Sequence, residues 1–128
     1  MENRNKIITF INGTRHEIDG AKAFKPLAAF LREDQSLTGT KVVCSEGDCG
    51  ACTVLLARDF GEDGKLVYKS VNSCILPLYL IDGAHVVSVE GLKKNDKDLH
   101  EVQEAMVNHH GAQCGYCTPG FICAMAGM

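Results

Sequence analysis

Cysteine is the residue type in this sequence best able to do chemistry. Seven cysteines stand in 128 residues. Six of them form two spaced groups: Cys44, Cys49, Cys52 and the distant Cys74, and then Cys114 with Cys117. Thiolates bind iron and zinc, and paired thiols exchange electrons by disulfide chemistry. Because structural disulfides are rare in a reducing cytosol, the two groups favour metal binding or redox chemistry.

The spacing within the first group is typical of a [2Fe–2S] ligand set. The cysteines follow the plant-type ferredoxin pattern C-x4-C-x2-C from Cys44 onward, with Cys74 as the distant fourth ligand. A loop that wraps a cluster needs tight turns and no bulky side chains facing the sulfides, and Gly47 and Gly50 meet that need. Backbone N–H groups of such a loop can stabilise the negative charge on the sulfur atoms.

Two other chemistries compete for the same cysteines. A structural zinc site could use Cys49 and Cys52 with Cys114 and Cys117, but it leaves the interval from Cys44 to Cys49 unexplained. A thioredoxin-like Cys-x-x-Cys pair requires a strand-to-helix context, whereas a strand pattern follows Cys52. The zinc-stabilised interaction module nevertheless stays open as an alternative to an electron carrier.

The overall composition limits the class of protein. The apolar fraction of 45% and the charged fraction of 23% are typical of a folded globular chain. A formal net charge of −3 without a basic stripe argues against nucleic acid as a partner. Residues 1–6 lack the apolar core of a secretory signal, and no run is long enough to cross a bilayer. We therefore expect a cytoplasmic protein without a membrane partner.

The elements before the first group are predicted from turn and periodicity signals. Residues 7–11 and 14–18 flank Asn12-Gly13, which favours a β-hairpin with a type I′ turn. The segment 25–32 begins with Pro26 at a first helical position and has one apolar face, so a short helix covering the hairpin is predicted.

The cysteines of the first group fall in and around a second hairpin. A loop is predicted over residues 36–50, two strands over 53–57 and 66–71, and a last strand over 85–90. Because helix and sheet segregate along the chain, the predicted fold class is α+β.

The composition changes at Gly91, where a charged segment begins, and we place a domain boundary there. Residues 1–90 are predicted as one domain that carries the first group of cysteines and residues 91–128 as an incomplete helical domain. Asp98 and Glu101 resemble a capping box that precedes an apolar stripe, which predicts a helix of about three turns. Thr118-Pro119 predicts a second helix, with the threonine as N-cap and the proline at the next position.

Two motifs together resemble the iron–sulfur part of the molybdenum hydroxylases. The motifs are CSEGDCGACTV at residues 44–54 and QCGYCTPGF at residues 113–121. Residues 31–34, 37–41 and the insertion 59–65 are most similar to the xanthine dehydrogenase branch of that family. The resemblance covers nearly the whole chain.

The resemblance implies a β-grasp ferredoxin-like domain with one [2Fe–2S] cluster, followed by a helical-bundle domain with a second. Cys114 and Cys117 match half of the second ligand set, and the family's other half, a Cys-x-Cys pair, lies beyond Met128. Gln113 corresponds to the glutamine that hydrogen-bonds the pterin of the molybdenum cofactor.

The role implied by the resemblance is electron conduction. Electrons would enter beside Gln113 from molybdopterin, reach the first cluster and continue to FAD. Molybdopterin and FAD would lie on partners, namely a molybdopterin-binding subunit and an FAD-binding domain or subunit. This chain would supply no acid, base or nucleophile, so no catalytic residue is predicted.

A stand-alone plant-type ferredoxin remains a second interpretation. A free shuttle should not carry an exposed ring of apolar side chains, whereas part of a larger assembly would. Two residues depart from the family pattern: Val43 stands where relatives commonly have glycine, and Cys123 stands where they have an apolar residue. Val43 would clash if its position required a positive φ. We predict that Cys123, in an apolar run, is a buried small side chain.

Overall fold

A five-stranded mixed sheet organises the chain in the computed structural model, which describes residues 4–128. The strands are β1 (Lys6–Ile11), β2 (Thr14–Asp19), β3 (Thr53–Phe60), β4 (Leu66–Asn72) and β5 (His85–Val87). Their order across the sheet is β2-β1-β5-β3-β4. β1 and β5 pair in parallel and the other neighbours pair antiparallel. The predicted α+β class is confirmed.

The first hairpin forms as its turn residues predict. Asn12 and Gly13 have φ values of 50° and 84°, the positive pair that a type I′ turn requires. Ile11 pairs with Thr14 directly across this turn. Alternate residues of β1 then face the interior, which places the hairpin under the helix that follows.

The first helix starts later than the sequence pattern predicts. α1 spans Leu27–Ala29 and continues as a π-helical turn over Phe30–Asp34. Pro26 is not the first helical residue, because it is extended (φ −63°, ψ 142°) and bridges Pro77 in antiparallel fashion. The N–H of Leu27 therefore donates to Leu76 O at 2.8 Å instead of facing solvent.

The core fills the space between α1 and one face of the sheet. Its buried members are Ile7, Ile11, Ile18, Leu27, Phe30, Leu31, Val54, Leu78, Ile81, Ala84 and Val86. The predicted apolar face of the first helix is confirmed by the burial of Leu27, Phe30 and Leu31. Burial of these side chains is the main term that stabilises the scaffold around the first cysteines.

Two strand ends differ from the prediction. β3 runs on to Phe60, with an irregularity in its pairing to β4 between Ala57 and Phe60. β5 ends at Val87 rather than at residue 90, because Asn12 Oδ1 accepts from the N–H of Ser88 at 2.9 Å and a 3-10 turn follows at Val89–Gly91. The strand thus ends at a hydrogen bond to a side chain that lies 76 residues earlier in the sequence.

Two helices follow the charged segment, α2 (Glu101–Asn108) and α3 (Thr118–Ala126). α2 has 8 residues, about two turns rather than three. The predicted capping box at Asp98 and Glu101 is wrong. His100 and Gln103 form it, with Val102 N donating to His100 Nδ1 at 3.1 Å. Asp98 instead accepts a hydrogen bond from the side chain of Asn95.

α3 begins one residue earlier than predicted, with Cys117 as N-cap and Thr118 as the first helical residue. It packs on β3, where a Cβ built on Gly127 would lie 2.7 Å from Leu55 Cδ2. It also contacts α2. The helical bundle and the boundary at Gly91 stay predictions. In residues 4–128 we find no helix with the length and apolar character needed to span a membrane.

Candidate metal centre

The first cysteine loop (residues 44–52) runs directly into β3, and Cys74 follows β4. The pairing of Thr53 with Asn72 brings the two strand ends together. The hydroxyl of Ser73 donates to Cys52 O at 2.6 Å, which fixes the contact. Cys52 and Cys74 are only 2% and 9% exposed and pack together with Ala28. The hairpin thus positions two of the four predicted ligands.

Backbone N–H groups of the loop point at two of its sulfur atoms. The N–H groups of Glu46, Asp48 and Cys49 donate to Cys44 Sγ at 3.5, 3.4 and 3.4 Å. The N–H of Ala51 donates to Cys49 Sγ at 3.5 Å. The N–H groups of Cys49, Glu46 and Asp48 lower the pKa of the Cys44 thiol to about 6, since they stabilise its thiolate. These hydrogen bonds reach cysteine sulfur atoms, and N–H donors to the sulfides of a bound cluster stay a prediction.

Cys74 has the opposite electrostatic environment. Burial, followed by the nearby Cys52 thiol, raises the pKa of Cys74 to about 11, although the N–H of Gly47 opposes the shift. A metal ion takes cysteine as thiolate, so binding at this residue would release a proton. The site therefore combines a thiol whose pKa is lowered, Cys44, with one whose pKa is raised, Cys74.

Gly47 and Gly50 allow the loop to fold tightly. Their φ values are +78° and +77°, in the region that glycine adopts without strain. A Cβ on Gly47 would lie 2.6 Å from Ile75 Cδ1. Asn72 Nδ2 donates to Gly47 O at 2.7 Å and ties the loop to β4. Four thiols, N–H groups directed at sulfur, and two loop positions without a side chain fit an iron–sulfur cluster.

Two findings bear on the other sequence-based expectations. Val43 is exposed and its φ is not positive. The positive φ occurs instead at Ser45, at 57°. No steric clash of the kind considered for Val43 arises. Among residues 4–128, no three His, Cys, Asp or Glu side chains lie close enough to hold a single metal ion, whereas each iron of a [2Fe–2S] cluster takes two cysteine thiolates.

The second cysteine loop (residues 113–117) is far more open. Gln113, Cys114 and Cys117 are exposed and line a cavity of about 470 Å³, which Phe121 and Met125 also line. The hydroxyl of Tyr116 donates to Val42 O at 3.3 Å and links this loop to the start of the first. The structure brings Gln113 beside the two cysteines, and within residues 4–128 no other cysteine lines this cavity.

Cys123 does not join either group. It is 1% exposed, and burial raises its pKa to about 12. The prediction of a buried small side chain is confirmed. Asn72 and Ser73, which hold the first loop in place, were not predicted, and the sole signal for them is their position directly before Cys74.

Two family models match this chain. A 2Fe-2S iron-sulfur cluster binding domain matches residues 9–78, and a [2Fe-2S] binding domain matches residues 88–128. The first spans more than half of the sequence. The chain belongs to the 2Fe-2S iron–sulfur cluster binding domain family. The matched residues include the first cysteine loop, Cys74 and strands β2, β3 and β4.

The chain is similar to parts of large oxidoreductases. It is 45% identical over 118 residues to xanthine dehydrogenase 1 of Arabidopsis thaliana, covering 92% of this chain and 9% of the relative. Among solved structures it is similar to the aldehyde oxidoreductase of Desulfovibrio gigas, with a TM-score of 0.80 and 36% identity over 95% of this chain and 12% of that one.

Quinoline 2-oxidoreductase of Pseudomonas putida 86 is a third similar protein, with a TM-score of 0.72 and 33% identity, covering 92% of this chain and 65% of the neighbour's. The predicted resemblance to molybdenum hydroxylase iron–sulfur parts, drawn from the two cysteine motifs, is confirmed by these relatives. The 2Fe–2S protein spans 9% of the length of the Arabidopsis relative.

Proposed function

We propose that this chain is the electron-transfer iron–sulfur component of a xanthine dehydrogenase-like molybdenum hydroxylase, relaying electrons from molybdopterin toward FAD. The observation that carries the proposal is the presence of two cysteine loops that match two different 2Fe–2S domain models in succession. The 45% identity to a xanthine dehydrogenase over 92% of the chain supports the same branch. Enzyme activity would belong to the whole assembly.

The first cluster is proposed to be held by Cys44, Cys49, Cys52 and Cys74. When bound, a [2Fe–2S] cluster accepts and donates single electrons. The residues of this chain hold it, orient it and limit the access of water. Cys52 and Cys74 form the buried side of the site. Cys49 is exposed, so partner proteins can approach the site from the side on which Cys49 lies.

Around this ligand set the loop contributes two further features. The N–H groups that donate to the sulfur atoms stabilise negative charge on them and raise the reduction potential. Gly47 and Gly50 are proposed as the residues that let the backbone approach the cofactor closely.

The second cysteine loop is proposed as the entry side for electrons. Cys114 and Cys117 would supply two ligands of a second [2Fe–2S] cluster, and the remaining two would come from outside residues 1–128. Gln113 lies on the same open cavity and is proposed to bind the pterin of the molybdenum cofactor. This division corresponds to a ferredoxin-like domain over residues 1–90 and a helical cluster-binding domain over 91–128.

Exposed apolar side chains favour a part of a larger assembly over a free ferredoxin. Val107 and Phe121 are 65% and 60% exposed, and Leu99 and Met125 are exposed as well. A soluble electron shuttle has no use for an exposed apolar surface, whereas a component of a larger assembly buries such a surface against its partners. The partners we propose carry molybdopterin and FAD, and the compartment we propose is the cytoplasm, where thiols remain reduced.

Anaerobic purification of the native protein from its own cells tests this proposal. We expect the chain to elute in a complex that contains molybdenum and FAD in amounts comparable to the chain. Elution at the mass of the free chain, with iron but without molybdenum or flavin, would reject the proposal in favour of a stand-alone ferredoxin.

A further inference from the structure

The start of α3 lies against the first cysteine loop. Gly120, in the first turn of α3, is buried. A Cβ built on it would overlap the carbonyl oxygen of Gly50 and would lie 3.0 Å from Ala51 Cα. Both obstacles are backbone atoms, so no side-chain rotation could relieve the overlap. Any side chain at position 120 must therefore push the helix and the loop apart.

The segment that Gly120 touches is held on both sides. Gly50 O accepts from Thr53 N at 3.1 Å and from Thr53 Oγ1 at 2.6 Å, which ties it to the start of β3. The N–H of Ala51 donates to Cys49 Sγ at 3.5 Å. A displacement of Ala51 would therefore change the hydrogen bond to a proposed ligand.

The surroundings of this contact are less tightly packed. The hydrogen bond from the Tyr116 hydroxyl to Val42 O, at 3.3 Å, joins the second cysteine loop to the segment before the first. A cavity of about 120 Å³ adjoins the contact and is lined in part by Cys49, Gly50, Ala51, Cys117 and Gly120. Gly120 thus makes its close approach to the backbone at the edge of this cavity.

We propose that Gly120 is a positioning residue for the first cluster. Its missing side chain lets α3 seat against Gly50 and Ala51, and this contact holds the Ala51 N–H against the Cys49 sulfur. The inference rests on the proposed assignment of the first cluster to the first cysteine loop and Cys74. It adds a determinant of the cluster's environment that lies outside both ligand sets.

The effect on the reduction potential has a predictable sign. An N–H donor to a cysteine sulfur stabilises the more negative, reduced cluster, so its loss lowers the potential. Entry of water near the cluster would instead raise the potential. Cys49 is already exposed, so additional solvent changes its surroundings little. We therefore expect the loss of the N–H donor to dominate and the potential to fall.

The test compares the 128-residue chain with G120A and with G127A. Gly127 lies at the other end of α3, and a Cβ there meets a flexible Leu55 side chain instead of backbone. All three proteins are reconstituted anaerobically with iron and sulfide. The midpoint potential is followed by paramagnetic resonance of the reduced cluster, and iron release is followed with a chelator.

We expect G120A to bind its cluster with a lower midpoint potential and to release iron about tenfold faster, the effect of moderate overpacking. G127A should match the unchanged chain in both readouts. Should loaded G120A keep the original potential, the inference is overturned even if its thermal stability drops. Absence of iron and sulfide in the unchanged chain would instead contradict the cluster assignment itself.

A second variant decides the matter if G120A does not fold. T53V removes the hydrogen bond from Thr53 Oγ1 to Gly50 O, and so loosens the segment against which Gly120 packs. We expect loaded T53V to show a lower midpoint potential and faster iron release, each by a smaller amount than G120A. An unchanged release rate and potential in folded T53V would mean that the position of this segment does not set the cluster's environment, and would overturn the inference.

Discussion

The two cysteine loops have similar sequence signals and very different surroundings. In the first, Cys44 accepts three backbone hydrogen bonds, and Cys52 and Cys74 are buried. In the second, Cys114 and Cys117 are exposed beside an open cavity. The difference teaches that the same Cys-x-x-Cys spacing can occur in two unlike environments. The hairpin of β3 and β4 sets the first loop apart, because it brings Cys74 to that loop.

Replacing a ligand in each loop gives the largest expected contrast. C49S should abolish the visible absorption of the reconstituted protein and destabilise its fold, because ligand binding contributes directly to folding in small metal domains. C117S should keep the absorption of the first cluster. Visible absorption and circular dichroism after anaerobic reconstitution measure both. Full colour in C49S would reject the ligand assignment.

Alkylation of the metal-free protein examines how the fold prepares the first loop. We expect Cys44 to react with iodoacetamide at pH 7, because its pKa is lowered to about 6, and Cys74 to stay unmodified until the pH approaches its raised pKa of about 11. Mass spectrometry in a C114S/C117S background locates the label. Equal rates at both cysteines across pH 6 to 9 would contradict the electrostatic description.

The lowered pKa of Cys44 also predicts how the stability of the metal-free protein depends on pH. A thiol whose folded pKa lies below its ordinary 9.0 adds stability above pH 9, and this contribution is lost as the pH falls toward 6. Cys74, whose pKa is raised, adds no slope in that window, because its own shift acts between 9.0 and about 11. The free energy of unfolding of the metal-free protein should therefore rise from pH 6 to 9. Urea titrations measure it.

Glycine replacements compare the steric demands of the two loops. G115A places an alanine at φ +87° in open space and should cost roughly 1–2 kcal/mol. G47A bears the same backbone strain and also displaces Ile75, so we expect about 1 kcal/mol more. Urea unfolding of the reconstituted proteins measures both. Equal losses would indicate that the first loop is no more tightly packed than the second.

Single hydrogen bonds give the smallest contrast. N72A removes the bond from Asn72 Nδ2 to Gly47 O and should cost about 1 kcal/mol of unfolding free energy. Y116F removes the longer and more exposed bond to Val42 O and should cost less. A larger loss in Y116F would mean that the second loop, rather than β4, is the main support of the first.

Local sequence signals predicted much of the fold and the first ligand set. Asn12-Gly13 specified the first turn because few residues adopt its positive φ values, and the cysteine spacing specified the loop. Contacts between distant residues were not predictable. Pro26 pairs with Pro77, Asn12 ends β5, and His100 replaces Asp98 as a cap.

The site shows the same division between local and distant information. Gly47 and Gly50 could be identified from their place between ligands. The hydrogen bonds of Asn72 and Tyr116 join residues 25 and 74 positions apart in the sequence. Gly120 likewise contacts the distant Gly50 and Ala51. No spacing in the sequence predicts these contacts. Their roles follow from how β4 and α3 pack on the first loop, which depends on the whole fold.

Iron and labile sulfide analysis, combined with paramagnetic resonance of the reduced protein, tests the central claim most directly. After anaerobic reconstitution we predict about two irons and two sulfides per chain and the signal of one [2Fe–2S] cluster, unchanged in C114S. Four irons per chain would mean that ligands from elsewhere complete the second site. Neither iron nor sulfide in folded protein would contradict the account.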